Sequence, residues 1–542
     1  MKKEWISIVL AFALLCTLVW TGNAVLPDVA ASADAETVWT AEITLVGETA
    51  EWTGDGVTAE DGVLTIAGTG TYRLTGEWQE GRIVVEAGKK GYVTLVLDGL
   101  EVTSSTGSAL EIASCSRVTL VTAEGSENRL ESAATGEEAA SALVSKADLW
   151  LEGEGSLTLT SAGRHGVQAA DSLSISSGNY VIEAAKAGLR ANDFIRISGG
   201  DIQITSGADG VHADGDESKQ DTAWIDISGG SLVIASGDDG VHAETVLTVS
   251  GGSITVTESC EGLEGNQVEI LGGDLDITAS DDGINAGGGD SDSGESGFRA
   301  GGFDRAFPQD GDMPELPEGF PEDGALPEMP QRPEKAEADG ELPERPETME
   351  PPEGFEPGGT DGGPEAQTEN SDALLRIAGG NIHVKADGDG LDSNGDLVIE
   401  GGEIVVDGPK DGMNGALDCG SESGGTLTVS GGTVLAIGAS GMDECFDESS
   451  AQASFRYAGL SFSAGDVITV ALADGTVLLE HTAETDGDSI VFSSPALAVG
   501  ETVLVSAGEE TAELQLTGQT TVAGESRGFT GASRSPRSRG RG

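Results

Sequence analysis

The chain has 542 residues, a formal net charge of −66, 82 glycines and 4% aromatic residues. So acidic a balance argues against nucleic acid as a partner, because phosphate binding needs a basic face, and against anionic polymers unless a cation intervenes. So few aromatics argue against a large compact core.

Residues 1–33 read as a secretory signal. Lys2 and Lys3 precede an apolar run from Ile6 to Trp20, and Ala31-Ser32-Ala33 offers cleavage after Ala33. The run is shorter than the roughly 20 residues a spanning helix needs. No later run is apolar enough to cross a bilayer, so the mature chain is expected to have no membrane span and to be secreted or cell-surface associated. Four later cysteines, Cys115, Cys260, Cys419 and Cys445, are too few for a disulfide scaffold. Cys419 and Cys445 stand about one repeat apart, close enough to pair; Cys115 and Cys260 are too far apart for that.

Residues 34–286 are expected to form the first part of a solenoid with an N-terminal cap, and a repeat marks them. Aligned on Gly-Gly, its copies read ISGGDIQITSGADGVHA, ISGGSLVIASGDDGVHA, VSGGSITVTESCEGLEG and ILGGDLDITASDDGINA. After a gap come IAGGNIHVKADGDGLDS and IEGGEIVVDGPKDGMNG, in residues 372–454. The second glycines include Gly230, Gly252 and Gly273, spaced by about 22 residues. Alternating pairs such as Ile202 with Ile204, and Leu232 with Ile234, are strand signals, and the glycines punctuate them. Short strands with no helical period predict an all-β parallel β-helix solenoid, whose stacked aliphatic core needs few aromatics. Leucine-rich repeats would need a leucine and asparagine pattern that is absent, and ankyrin or tetratricopeptide repeats would need helix formers.

Residues 287–371 hold most of the 17 prolines. Stretches such as LPEGFPEDGALPEMPQRPE are expected to form a disordered acidic insert extruded from one coil, with the repeat resuming at Ile377. Residues 455–523 lack the repeat and read as a β-rich cap, which an open solenoid end needs. Residues 524–542 are expected to be a basic flexible tail, suited to contact with an anionic cell wall or with the chain's own insert, or simply to solvation.

The repeat places an acid nine positions after each Gly-Gly pair: Asp209, Asp239, Glu261, Asp282, Asp389 and Asp411. Three positions later stands a polar residue: His212, His242, Glu264, Asn285, Asp392 or Asn414. Equivalent residues in neighbouring coils would lie about 4.8 Å apart, so like charges would repel by about 1 kcal/mol each near a surface. Calcium, which takes six to eight oxygen ligands, offsets such repulsion. The richest clusters are Asp281, Asp282 and Asn285 in ASDDGINA, and Asp387, Asp389, Asp392 and Asn394 in DGDGLDSNG, with Asp239 in the DDGVHA copy beside them. The oxygen-only ligand set selects a hard cation. Asp-Gly pairs also suit tight turns that hold no ligand. His212 and His242, with no nearby cysteine, are a weak zinc pattern.

The sequence resembles a family of secreted bacterial carbohydrate-binding proteins. The resemblance covers about residues 70–520. It rests on VTLVLDGLEVTSSTGSALEI, GDGLDSNG, the block GGEIVVDGP to NGALDCG, VLAIGASGM and FSSPALAVGETV, with the insert following NAGGGD. It implies a right-handed parallel β-helix with bound calcium, similar in shape to family-nine pectate lyases, and binding of cellulosic or acidic sugars without established lyase activity. Cys260 and Glu261 depart from the Asp-Asp pattern, so that repeat is left out of the expected ligand set.

Three functions are compatible with these residues. The first is a non-catalytic polysaccharide binder that holds an acidic sugar such as polygalacturonate through calcium. The second is a calcium-dependent, pectate-lyase-like β-elimination enzyme, for which Lys410, beside Asp411, is the candidate base and Lys186 a weaker one. The third is a structural surface protein or adhesin. Trp78, Trp150 and Trp224 are candidate sugar platforms.

Overall fold

The computed structural model describes residues 38–215, 222–287, 372–421 and 424–525. The expected signal, most of the acidic insert and all but the first two residues of the basic tail lie outside the described residues. Apart from a three-residue 3-10 turn at Gly136–Glu138, every helix or strand among the described residues is a strand, and the fold is all-β.

Most of the strands belong to one continuous sheet, and their pairing is mainly parallel. Each strand pairs with its equivalent one repeat before and one repeat after, which generates three ladders. The first follows the Gly-Gly turns. It runs through Ser253–Glu258, Asp274–Ala279, Asn381–Ala386, Glu403–Asp407 and Thr433–Gly438. The second is built from short strands such as Leu189–Ala191, Val211–Ala213, Ile284–Ala286 and Leu391–Ser393. The third carries the segments that end each repeat, including Leu374–Ile377, Asp396–Ile399 and Leu427–Val429. Strands on either side of the insert pair directly: Ile270 with Ile377, Leu275 with Ile382 and Ile284 with Leu391.

Alternation within each strand decides what faces inward. Ile202, Leu232, Ile254, Leu275, Ile382, Ile404 and Val434 form one continuous register row, and each is at most 3% exposed. At about 1.5–3 kcal/mol per fully buried aliphatic, such rows are the main favourable term. The aliphatic core expected from the low aromatic content is therefore present.

The two glycine motifs do different work. The second glycine of each Gly-Gly pair has a positive φ, for example +92° at Gly252, which side-chain-bearing residues rarely adopt. The glycine after each acid is needed for closeness. A Cβ on Gly262 would fall 2.3 Å from the carbonyl oxygen of Gly283 in the next repeat.

Both ends of the ladders are covered by antiparallel pairing. Ala41–Gly47 forms a hairpin with Thr49–Gly54 at the start. At the other end, Gly487–Ser493 pairs antiparallel with the last first-ladder strand, Thr433–Gly438. A separate four-stranded antiparallel sheet, Val467–Leu472, Val477–Thr482, Thr502–Ala507 and Glu510–Gln515, shares a second core with Leu435, Ile437, Phe455 and Phe492. No disulfide joins the four described cysteines, so Cys419 and Cys445 remain thiols. Among the described residues no helix is long and apolar enough to cross a membrane.

Candidate functional site

Two parallel rows of side chains run along the second ladder and the turn that leads into it. Register places Gln168, Arg190, His212, His242, Glu264, Asn285 and Asp392 in the first row. The next pairing, Leu391 with Leu417, continues it to Asp418. Hydrogen bonds from glycine amides to successive carbonyls order the second row as Asp209, Asp239, Glu261, Asp282, Asp389 and Gly415. The expected members Asp411 and Asn414 are not in these rows, because a few extra residues before Gly415 shift that repeat out of phase. Asp411 instead accepts the amide of Met413 at 3.0 Å.

Part of the repeated acid's role is structural. Asp282 accepts the backbone amide of Asp389 at 2.7 Å, Asp389 that of Gly415 at 2.5 Å, and Asp209 that of Asp239 at 3.3 Å. Each carboxylate thus caps the turn of the following repeat, which is the ligand-free role that Asp-Gly chemistry allows.

The rows differ in electrostatic character along their length. At the earlier end, His212 Nδ1 donates to Asp209 at 2.5 Å. His242 Nδ1 lies 3.4 Å from Asp239 and 3.3 Å from Glu264. Burial works against the charge on His212, but Asp209 and Glu244 outweigh it and push its pKa up to about 9. Burial likewise opposes the charge on Asp209, yet His212 holds it below the usual carboxylate range.

At the later end the carboxylates face one another. Burial first, and then neighbouring charges, push Asp389 up to about 7 and Asp392 up to about 8. Asp282 rises to about 6, through burial with Asp281 adding to it against the amide of Asp389. Glu261 and Glu264 are also raised, by burial and then by other carboxylates. Asn285 donates through Nδ2 to Glu261 at 3.1 Å, while its buried Oδ1 has no hydrogen-bond partner.

Of the eight expected metal ligands, Asp239, Asp282, Asn285, Asp389 and Asp392 stand in these rows. Asp281, Asp387 and Asn394 are exposed outside them. Glu261 and Glu264 belong to the rows although the sequence reading left them out of the ligand set; Glu264 was visible at the polar position of its repeat. Asp239 also belongs to a cluster with His242 and Glu264 whose ligand atoms lie within 4.8 Å of one another.

Lys410 ion-pairs with Asp387 at 3.0 Å and is 64% exposed. That hydrogen bond raises its pKa, which is opposite to what a general base needs. Nor are the tryptophans bare platforms. Trp78 is buried, Arg117 lies 4.3 Å over the Trp150 ring, and Trp224 stacks on Phe194 at 4.3 Å with Arg196 beside both.

A groove of about 520 Å³ opens on the first ladder, lined by Thr255, Asp276, Asn381, His383, Glu403 and His481 among others. His383 Nε2 and His481 Nε2 donate to one oxygen of the fully buried Asp407, at 3.1 and 2.8 Å. His383 Nδ1 donates to Asp276 at 3.0 Å. Its hydrogen bond to Asp407 leads the effects that push His383 up to about 9, and the two histidines hold Asp407 down at about 2 against its burial. His481 thereby ties the C-terminal sheet to the groove wall. Sequence reading missed this triad, because its members come from separate segments and only register joins them.

An all-β chain of stacked repeats with a polar groove and an acidic face defines the class. The family described as carbohydrate-binding domain-containing protein matches residues 60–304 and 363–524, and the chain belongs to it. A carbohydrate-binding domain-containing protein of Acetivibrio thermocellus is 28% identical over 190 residues, which are 33% of this chain and 65% of that protein. Among solved structures, a gadolinium derivative of the polysaccharide lyase-like protein from C. thermocellum matches at 25% identity. Its TM-score is 0.38, over 44% of this chain and 94% of that one.

Proposed function

We propose that this is a secreted or cell-surface polysaccharide-binding protein, built on a right-handed parallel β-helix, that holds an acidic or cellulosic sugar with the help of calcium. Family membership supports the carbohydrate partner. One observation carries the calcium: the half-buried carboxylates Glu261, Asp282, Asp389 and Asp392 and the buried Glu264 follow one another along the rows and repel, beside the unpartnered Oδ1 of Asn285.

Those groups are oxygen donors, and their mutual repulsion is of the kind a hard divalent cation relieves. Such an ion would sit between two neighbouring repeats, held by Glu261 and Glu264 with Asp282 and Asn285, or by Asp282 and Asn285 with Asp389 and Asp392. When bound, it supplies a positive charge that a uronate carboxylate can share, which reconciles an acidic protein with an acidic ligand. Asp282 and Asp389 also keep the turns in register through their amide contacts. The groove on the first ladder offers hydrogen-bonding side chains for sugar hydroxyls, and the Asp407 triad fixes the orientation of His383 there. The basic tail is proposed to help hold the protein on an anionic cell wall.

Affinity electrophoresis or calorimetry on polygalacturonate, with and without chelator, tests the reading. Binding in calcium and its loss in chelator are expected; equal binding in both rejects the calcium route. A search for ultraviolet-absorbing unsaturated products in the same samples tests the lyase alternative.

A further inference from the structure

The geometry points to a second metal site, for a divalent transition metal of the zinc class, built by His212, His242, Glu244 and Asp214. The two imidazoles stack with centroids 4.7 Å apart and planes 18° from parallel. Both turn Nδ1 toward a carboxylate, His212 toward Asp209 and His242 toward Asp239 and Glu264. That leaves both Nε2 atoms on the other side, where Glu244 Oε1 lies 3.8 Å from one and 3.9 Å from the other. His212 Nε2 is buried and has no hydrogen-bond partner. The ligand atoms of His212, Asp214 and Glu244 lie within 4.8 Å of one another.

A separation of 3.8 Å is too long for a hydrogen bond. It suits two atoms that share an ion at about 2.0–2.2 Å from each, as zinc does with nitrogen and carboxylate oxygen. An imidazole whose Nδ1 is fixed by a carboxylate, with Nε2 free, is the orientation metal-binding histidines take. Asp209 and Asp239 are thus positioning residues and the two Nε2 atoms the donors. Two neutral imidazoles and two carboxylates make up the donor set, with Asp214 also held in place by the Arg190 guanidinium. Nitrogen donors separate this site from the oxygen-only end of the rows, where a hard cation is favoured. The inference stands apart from the calcium reading, since it uses different donors and a different metal class.

The test uses the full chain, stripped with chelator, returned to chelator-free buffer and held in saturating calcium. Cobalt(II) is titrated while its visible d–d absorption is followed, and zinc is then added in competition. Near-stoichiometric cobalt uptake that zinc displaces and calcium does not is expected. His212→Gln and Glu244→Gln should each weaken uptake by about tenfold or more, while His481→Gln should leave it unchanged. Circular dichroism confirms that each variant is folded, and Glu244→Gln decides if His212→Gln is not. Absence of uptake, displacement by calcium, or undiminished affinity in folded Glu244→Gln would overturn the site. So would loss in His481→Gln with retention in His212→Gln.

Discussion

The two ends of the same face share a backbone but not a charge plan. From Arg190 to His242 the row offers nitrogen donors, and the adjacent acids Asp209 and Asp239 lie against them. From Glu264 to Asp392 the acids face Asn285 and other acids, and their protons are held far more tightly than usual. Backbone register is identical in kind, so the contrast comes from side-chain identity alone. A parallel ladder stacks whatever is written at a position, and it stacks repulsion as faithfully as attraction.

The largest expected effect comes from erasing the contrast. His242→Phe removes the imidazole that lies against both Asp239 and Glu264 and should destabilise the protein by about 3 kcal/mol, measured by denaturant titration. A loss under about 0.5 kcal/mol would mean that the histidine end is not held by these contacts.

Next in size is calcium itself. A ligand at 100 times its Kd stabilises by about 2.7 kcal/mol. Calcium should therefore raise the Tm of chelated protein, and Asp389→Asn with Asp392→Asn should abolish that rise. No response to calcium in the parent would remove the acidic end from consideration as a site.

The pH profile sharpens the comparison. Asp282, Asp389 and Asp392 are raised to about 6, 7 and 8 in the folded chain, against about 3.9 for an unfolded aspartate. Between those limits the folded state binds more protons, so stability falls as pH rises through that window. Chelated protein should lose stability steadily from pH 5 to pH 7, and calcium should flatten the slope. Thermal melts at several pH values read this directly; a metal-free protein whose stability rises over that range would contradict it.

Glu264→Gln should act in opposite directions with and without the ion. In chelator it relieves crowding and stabilises by about 1 kcal/mol, whereas in calcium it removes a ligand and lowers affinity. The smallest effect is expected at Lys410→Ala. Its pair with Asp387 is exposed at both ends, so the change should be below about 1 kcal/mol, with sugar binding unaltered.

Much of this was legible in the residues. The Gly-Gly spacing and the alternation of Ile202 with Ile204 identify strands stacked repeat on repeat, because a side-chain period of two and a fixed coil length leave few other ways to bury those faces. The acid followed by glycine was legible as a recurring position, though its amide-capping role was only one of two readings. The departure at Glu261 was visible too, and the glutamate stands at the same place in the row as the aspartates do.

What sequence determined was therefore periodic: the all-β class, the aliphatic core, the rows of acids and the resumption of the repeat after the insert. What only tertiary structure decided was which neighbours each charged group meets. Asp281, Asp387 and Asn394 sit one or two residues from row members yet face solvent. Asp407, from the first ladder, meets His481 of the C-terminal sheet 74 positions away. Glu244 reaches both His212 and His242 from an irregularity in strand register after Ala243. Charge interactions depend on distance and burial, and neither follows from spacing along the chain once a turn lengthens by a residue or two.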